Sequence, residues 1–301
     1  MPFIAWHPIF NFPLPEGHRF PMLKYELLHD QLLYEGVVKE DAYFIPEMLD
    51  EKYIAPVHKE EYFRRLLTLQ LSRQEILKIG FPLSQKLVER ELRIAQGTVT
   101  AAECALKTGI GFNIAGGTHH AGSNWGEGFC LLNDQAIAAQ YMLDHYNIRQ
   151  ILMIDLDVHQ GNGTAEIFTR EKRVFTFSMH GKNNFPFKKE KSDLDTGLSD
   201  GTDGTQYLAI LKQQLDHLFK MLHPGFVFYQ AGADVLETDQ MGKLKLTIAD
   251  CKERDRIVFN HCKELKIPVQ VSMGGGYSKN IKNILDVHCQ TFKEGISAIS
   301  S

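Results

Sequence analysis

The chain is poor in cysteine: five in 301 residues, an odd number with no CxxC pair among them. That excludes a disulfide framework and fits reduced, mostly buried thiols. No run of about eighteen apolar residues is present, so no transmembrane helix is expected. The opening MPFIAWHPIFNFPLPEG lacks the basic region, apolar segment and small-residue cleavage site of a secretory signal. A cytoplasmic protein is expected, or a nuclear one in a eukaryotic cell. Charge of one sign is lacking too: 33 basic and 37 acidic residues leave a net −4. That balance gives no electrostatic footprint for nucleic acid, though it does not repel a basic peptide segment. No coiled-coil heptad, internal repeat, low-complexity tract or Pro/Gly/Ser-rich linker occurs. A monomer with one domain over residues 1–301 is the simplest reading, and 44% hydrophobic residues suffice for a large core.

What is present is an ordered alternation. Phe3 to Trp6 reads as a short first strand, and Pro21 to Tyr34 as a helix. Glu60 to Ile79 carries charged and apolar residues at helical spacing. Ser84 is placed to cap the run Gln85 to Lys107, whose Leu87, Leu92, Ile94 and Ala95 suit one buried face. From residue 110 onward, apolar runs IGFNI (110–114), QILMIDL (150–156), RVFTFSM (173–179), FVFYQ (226–230) and PVQVSM (268–273) read as strands. Segments of helical length separate them: Leu131 to Tyr146, Thr205 to Leu222, Thr247 to Leu265 and Ser278 to Phe292. Apolar strands between helices are the pattern of a parallel sheet covered on both faces. Ligands in such sheets bind beyond the carboxyl ends of the strands.

Four of those ends carry unusual residues. They are Ala115-Gly-Gly-Thr-His119-His120-Ala-Gly, Asp155-Leu-Asp157-Val-His159-Gln-Gly-Asn162-Gly, Ala231-Gly-Ala-Asp234-Val-Leu, and Gly274-Gly-Gly-Tyr277. In an extended strand Asp155, Asp157 and His159 would point to one face, with Leu156 and Val158 opposite. Two carboxylates and an imidazole crowded together call for a cation, and Asp234 can add an oxygen ligand. Three protein ligands with a free position describe a catalytic metal site. Asp, Asn and Gly are also ordinary turn residues, so DxDxH alone divides evenly between a site and a turn. Asp234 and the histidine pair tip the balance toward metal. His119 and His120 can place one imidazole as a base and hold a second proton on the other. Asp155 and Asn162 are available behind the rings. Tyr277, on a glycine hinge, can donate to a developing oxyanion. GGGY lacks the lysine and spacing of a phosphate loop.

Together GTHHAG, GFCLLND, DLDVHQGNG, AGADVL and GGGY resemble the zinc-dependent histone deacetylases and their bacterial acetoin-utilisation-type relatives, over roughly residues 110–280. DVHQGNG and the compact length look most like the class IV branch. The resemblance implies the arginase/deacetylase α/β fold, an eight-stranded mostly parallel sheet between helices. It implies zinc held by Asp157, His159 and Asp234, with tandem catalytic histidines His119, backed by Asp155, and His120, backed by Asn162. Tyr277 would polarise the substrate carbonyl. Gly128, Phe129 and Phe185 would wall a narrow acyl-lysine channel, with Met241 at its mouth and Arg19 near its internal end. A structural potassium ion would use Asp155, Ser178 and the carbonyls of Asp157, His159 and Met179. Class I members usually carry an aspartate where this chain has Asn162, so His120 is expected to be less basic.

The same fold serves ureohydrolases, which bridge two manganese ions with a D-x-H-x-D and a later D-x-D segment. The third positions here are Gly161 and Leu236, which cannot bind metal through a side chain, so one ion is expected. The implied reaction is hydrolysis of an N-acyl-lysine amide on a protein, with zinc activating water, the histidines moving protons and Tyr277 steadying the oxyanion. Class IV likeness raises longer fatty acyl groups beside acetyl. Small acylated amines such as acetylpolyamines are a second substrate class, and a metal-binding interaction module without activity is a third reading. Two carboxylates and one imidazole also suit Fe(II) or Co(II).

Overall fold

Runs rich in β-branched and aromatic residues pair here because each has apolar neighbours on both sides. The structure, a computed structural model, describes residues 3–300. Its strands are β1 (Ile4–Ala5), β2 (Tyr43–Phe44), β3 (Ile110–Asn113), β4 (Ile151–Asp155), β5 (Val174–Gly181), β6 (Leu194–Leu198), β7 (Phe226–Gln230) and β8 (Val269–Ser272). They form one eight-stranded sheet in the order β2-β1-β3-β8-β7-β4-β5-β6. Every pairing is parallel, so the sheet is wholly rather than mostly so. Every residue of β3, β4, β7 and β8 is buried, as a sheet covered on both faces requires.

The helices are α1 (Lys24–Tyr34), α2 (Glu60–Leu67), α3 (Arg73–Ile79), α4 (Gln85–Thr108), α5 (Asp134–His145), α6 (Asn162–Phe168), α7 (Gly204–Leu222), α8 (Ile248–Glu264) and α9 (Ile281–Ser300). One group packs α4 with α5; a second runs through α7, α8, α9 and α1. Strand β3 touches both α4 and α9, which puts the sheet between the two groups. Ser84 caps α4 by accepting from the Leu87 amide at 3.2 Å, and Gly109 ends it with φ +90°. No helix is long and apolar enough to cross a membrane among the described residues.

Several expected elements shift. The run Glu60 to Ile79 is two helices, because Leu69 turns back with φ +58° and Ser72 opens α3 with a capping box to Glu75. Strands β2 and β6 carry no long apolar run: β6 alternates half-buried and exposed residues at the sheet edge before a buried Leu198. Strand β4 stops at Asp155, so Asp157 and His159 lie in the loop beyond it, not on an extended strand. In register, Asp155 pairs with Ser178 on one side and Gln230 on the other, and Gln230 with Ser272. The central strands thus end level, and their loops open onto one edge.

Candidate functional site

Side chains that bend their own backbone build the loop after β4. Asp155 Oδ1 accepts the Asp157 amide at 3.1 Å, and Asp157 Oδ1 accepts the His159 amide at 3.0 Å. Two successive Asx turns therefore replace strand alternation in aiming these residues. Leu156 and Val158, fully buried, anchor the opposite side. The loop after β7 brings Asp234 alongside: its Oδ1 accepts the Val158 amide at 2.9 Å. Arg254 Nη1 donates to the Gly232 carbonyl at 2.6 Å and ties that loop to α8.

Asp157, His159 and Asp234 each offer one ligand atom within 4.8 Å of the others, and all three are buried. His159 Nδ1 lies 3.0 Å from Asp157 Oδ1 and 3.1 Å from Asp234 Oδ2. Burial opposes charge on His159, yet hydrogen bonds to the two carboxylates push it up to about 10. Burial, then the Asp157 charge, pushes Asp234 up to about 7. Two carboxylates thus converge on one imidazole nitrogen, a concentration of negative charge that needs a positive partner. A divalent cation answers the same demand, and the donor set fits one such ion.

The histidine pair faces this cluster, with ring centroids 4.1 Å apart. His119 Nδ1 donates to Asp155 Oδ2 at 2.6 Å. Burial alone would lower His119, but Asp155 and Asp157 raise it above the ordinary imidazole range. His120 Nδ1 donates to Asn162 Oδ1 at 2.7 Å. Burial and then the neighbouring His119 and His159 hold His120 well below its ordinary value. Behind it, Asn162 Nδ2 donates to Glu127 Oε1 at 2.6 Å, which fixes the amide with its oxygen toward the ring. Glu127 had no role in the sequence reading; its one signal was a carboxylate directly before Gly128-Phe129.

Tyr277 enters from the loop after β8. Its amide donates to Asp239 Oδ2 at 2.6 Å, and its partly buried phenol packs 6.0 Å from Phe129 and 6.3 Å from His159, centroid to centroid. Burial, with Asp234 and Asp157 nearby, keeps the phenol protonated. Beneath this loop, the buried Lys24 Nζ donates to the Gly274 carbonyl at 3.0 Å. Asp134 clamps the histidine loop through the Gly117 and Thr118 amides and the Thr98 hydroxyl.

The Histone deacetylase domain family matches residues 18–292. The chain belongs to that family. It is 42% identical over 285 residues to an uncharacterised protein of a Picosynechococcus strain, covering 95% of each chain. It is 28% identical to Histone deacetylase 2 of Arabidopsis thaliana, covering 89% of this chain and 72% of that one. The structure of a histone deacetylase homologue from Aquifex aeolicus superposes with a TM-score of 0.82 at 20% identity, over 100% of this chain and 88% of that chain. The fold is that of the histone deacetylases, and membership supports a deacetylase-type hydrolase.

The residues this histone deacetylase chain offers as a channel line two spaces that share His120, Gly128, Phe129, His159 and Tyr277 as walls. An outer chamber of about 370 Å³ has Gly128, Phe129, Phe185 and Met241 in its wall. Gly128 and Phe129 both adopt positive φ, +55° and +69°, and donate their amides to the Lys78 and Ile79 carbonyls. A Cβ on Gly128 would come within 2.7 Å of the His120 ring. The inner space, past His120, His159 and Tyr277, has about 30 Å³, where one water needs about 10–15 Å³. Phe20, Phe81 and Phe129 close it, with centroids 5.0–5.2 Å apart.

Arg19 is not at the internal end. It is exposed on the outer chamber, its guanidinium carbon 5.5 Å from the Phe129 ring centroid. His18 explains the reversal: its Nε2 donates to the Gly80 carbonyl at 2.8 Å and its Nδ1 accepts the Phe20 amide at 3.1 Å. That turn sends Phe20 inward and Arg19 outward. The basic side chains at the inner end are Lys24 and Arg90, both buried. Asp155 and Ser178, the side chains of the expected monovalent-cation site, are register partners, and Ser178 Oγ lies 2.9 Å from His180 Nδ1.

Proposed function

We propose that this chain is a metal-dependent amidohydrolase that removes acetyl groups from lysine side chains of proteins. Asp157, His159 and Asp234 hold the divalent ion, taken as zinc. The observation that carries this reading is one cavity lined by Asp157 and His159 of that donor set, by an amide-backed and a carboxylate-backed imidazole and by a phenol, with Asp234 packed directly behind. When bound, the ion supplies Lewis acidity toward water and the acyl oxygen.

The chain's own groups supply the rest. His120 donates from Nδ1 to Asn162, so its Nε2 carries the lone pair and accepts the proton of the attacking water. His119, oriented by its hydrogen bond to Asp155, turns its other ring nitrogen toward the forming oxyanion as a hydrogen-bond donor. The phenol of Tyr277, kept protonated, donates a hydrogen bond to that oxyanion. Protonated His120 then returns its proton to the departing lysine amine. Phe129 and Phe185 flank the lysine methylenes while the head passes inward. An inner space with room for about two waters supports acetyl over a long fatty chain. Asp155, Ser178 and nearby carbonyls are read as holding a structural monovalent cation.

Tyr277→Phe tests the assignment. It should lower kcat on an acetyl-lysine peptide by roughly 10²- to 10³-fold, the usual loss for one oxyanion donor, with metal content unchanged. Wild-type turnover in that variant would refute the role given to the phenol.

A further inference from the structure

We infer that the mouth selects acyl-lysines lying in acidic peptide segments, an inference that rests on the hydrolase reading above. The outer chamber is lined by three cationic side chains, Arg19, Lys78 and Lys243, and by no aspartate or glutamate among the described residues. The chain as a whole carries net −4, so this rim reverses the sign of the average surface. Arg19 and Lys78 are exposed and form no ion pair with a carboxylate among the described residues. Arg19 is steadied by the Phe129 ring at 5.5 Å, which aims its charge over the entrance. Lys243 is shared: its Nζ lies 3.7 Å from Asp200 Oδ2, with both side chains about half exposed, and 3.3 Å from the Asn183 carbonyl. Asn183 and Asn184 complete the polar rim without charge.

A lysine seated between Phe129 and Phe185 leaves its flanking residues over this rim. Aspartate or glutamate on either side would meet unpaired cations; lysine or arginine would meet like charge. An acetylpolyamine, cationic along its length, would be repelled by the same three groups. Exposed pairs contribute modestly, about 1.5- to 5-fold per charge, and act at entry more than in the chemical step. They are also screened once the Debye length falls well below 10 Å.

The experiment uses the zinc-loaded full chain and three matched acetyl-lysine peptides with acidic, neutral or basic flanks. kcat/KM is measured at 20 and 500 mM NaCl, and binding is followed in parallel by fluorescence anisotropy. The expected order is acidic over neutral over basic, with about tenfold or more between the extremes at low salt and most of it lost at high salt. The double variant Arg19→Glu/Lys78→Glu should reverse the order. A flat or basic-first ranking in the wild-type chain would overturn the inference, as would an unchanged ranking in the double variant. If no peptide is hydrolysed while the acidic one binds best in a salt-dependent way, the hydrolase reading fails and the rim assignment stands.

Discussion

Gly161→Ala isolates the carboxylate behind His119 without altering any side chain that acts in the site. Gly161 has φ −71°, so alanine meets no backbone strain there. Its Cβ, however, would stand 2.2 Å from Asp155 Oδ2 and 3.4 Å from His119 Nδ1. The carboxylate oxygen must retreat by about 1 Å to reach ordinary contact distance. That oxygen is the one accepting from His119 at 2.6 Å, so the methyl group and the hydrogen bond compete for one atom. A hydrogen bond to a charged partner is worth about 1.5–3 kcal/mol, or roughly 10- to 150-fold in kcat if His119 acts through it. The assay is steady-state hydrolysis of an acetyl-lysine peptide, with metal content and thermal unfolding measured on the same preparations. Combining Gly161→Ala with Asp155→Ala should cost no more than Asp155→Ala alone, since both remove one interaction. A folded, metal-loaded Gly161→Ala protein with wild-type kcat would refute the role of Asp155. The same contact means that a ureohydrolase-type aspartate at position 161 would also displace Asp155, since its Cβ would stand at the same 2.2 Å.

Three further outcomes are expected. Glu127→Ala should lower kcat roughly 2- to 10-fold by freeing the Asn162 amide to rotate, whereas Glu127→Gln, which keeps an acceptor, should restore most of it; equal losses in both would count against orientation. In a panel of acetyl-, octanoyl- and myristoyl-lysine peptides, kcat/KM should fall with chain length, and a preference for myristoyl would contradict the 30 Å³ inner space. The third concerns stability in acid. His58 is fully buried and neutral: its Nδ1 donates to the Gly122 carbonyl at 3.0 Å, its Nε2 accepts the Asn133 amide at 2.9 Å, and burial lowers it to about 4. With the folded value below the unfolded one near 6.5, stability is complete above pH 6.5 and declines as pH falls toward 4. By pH 5 about 2 kcal/mol is lost at this residue. Urea unfolding at pH 7.5 and 5 should show that loss in the wild type beyond any in His58→Gln; identical pH dependence would refute it.

The sequence made the site legible where chemistry is concentrated in few residues, and illegible where it acts through backbone. Asp157, His159 and Asp234 could be named because two carboxylates and an imidazole at strand ends have few other uses. The path that brings them together could not, since Asx turns leave no apolar period to read. Strands β3, β4, β7 and β8 announced themselves as unbroken apolar runs because both of their faces are covered. Edge strands β2 and β6 did not, having partly exposed residues that look like loop. Arg19 was misplaced by one residue's worth of direction: adjacent positions in a turn face opposite ways, and only the His18 hydrogen bonds decide which faces in.

The supports the sequence did not reveal share a single design. Asp134 holds the amides before His119, Arg254 the carbonyl before Asp234, and Lys24 the carbonyl before Tyr277. Each is a buried charged side chain bonded to backbone from a neighbouring helix or its first turn. Burying those charges costs stability, and each bond to a partner offsets part of it. Loop peptide groups are among the partners, and for Arg254 the Asp255 carboxylate is another at 2.8 Å. Each charge thus pins one loop by a peptide group, which holds it in place before a substrate arrives. That arrangement suits the proposed reaction, in which a proton acceptor, a phenol and three metal donors drawn from four loops must stand together without rearrangement. It also locates the tolerance of the fold: an exposed rim residue such as Arg19 can be exchanged with effect on peptide choice alone, whereas a substitution at Lys24 would loosen the glycine turn that carries Tyr277.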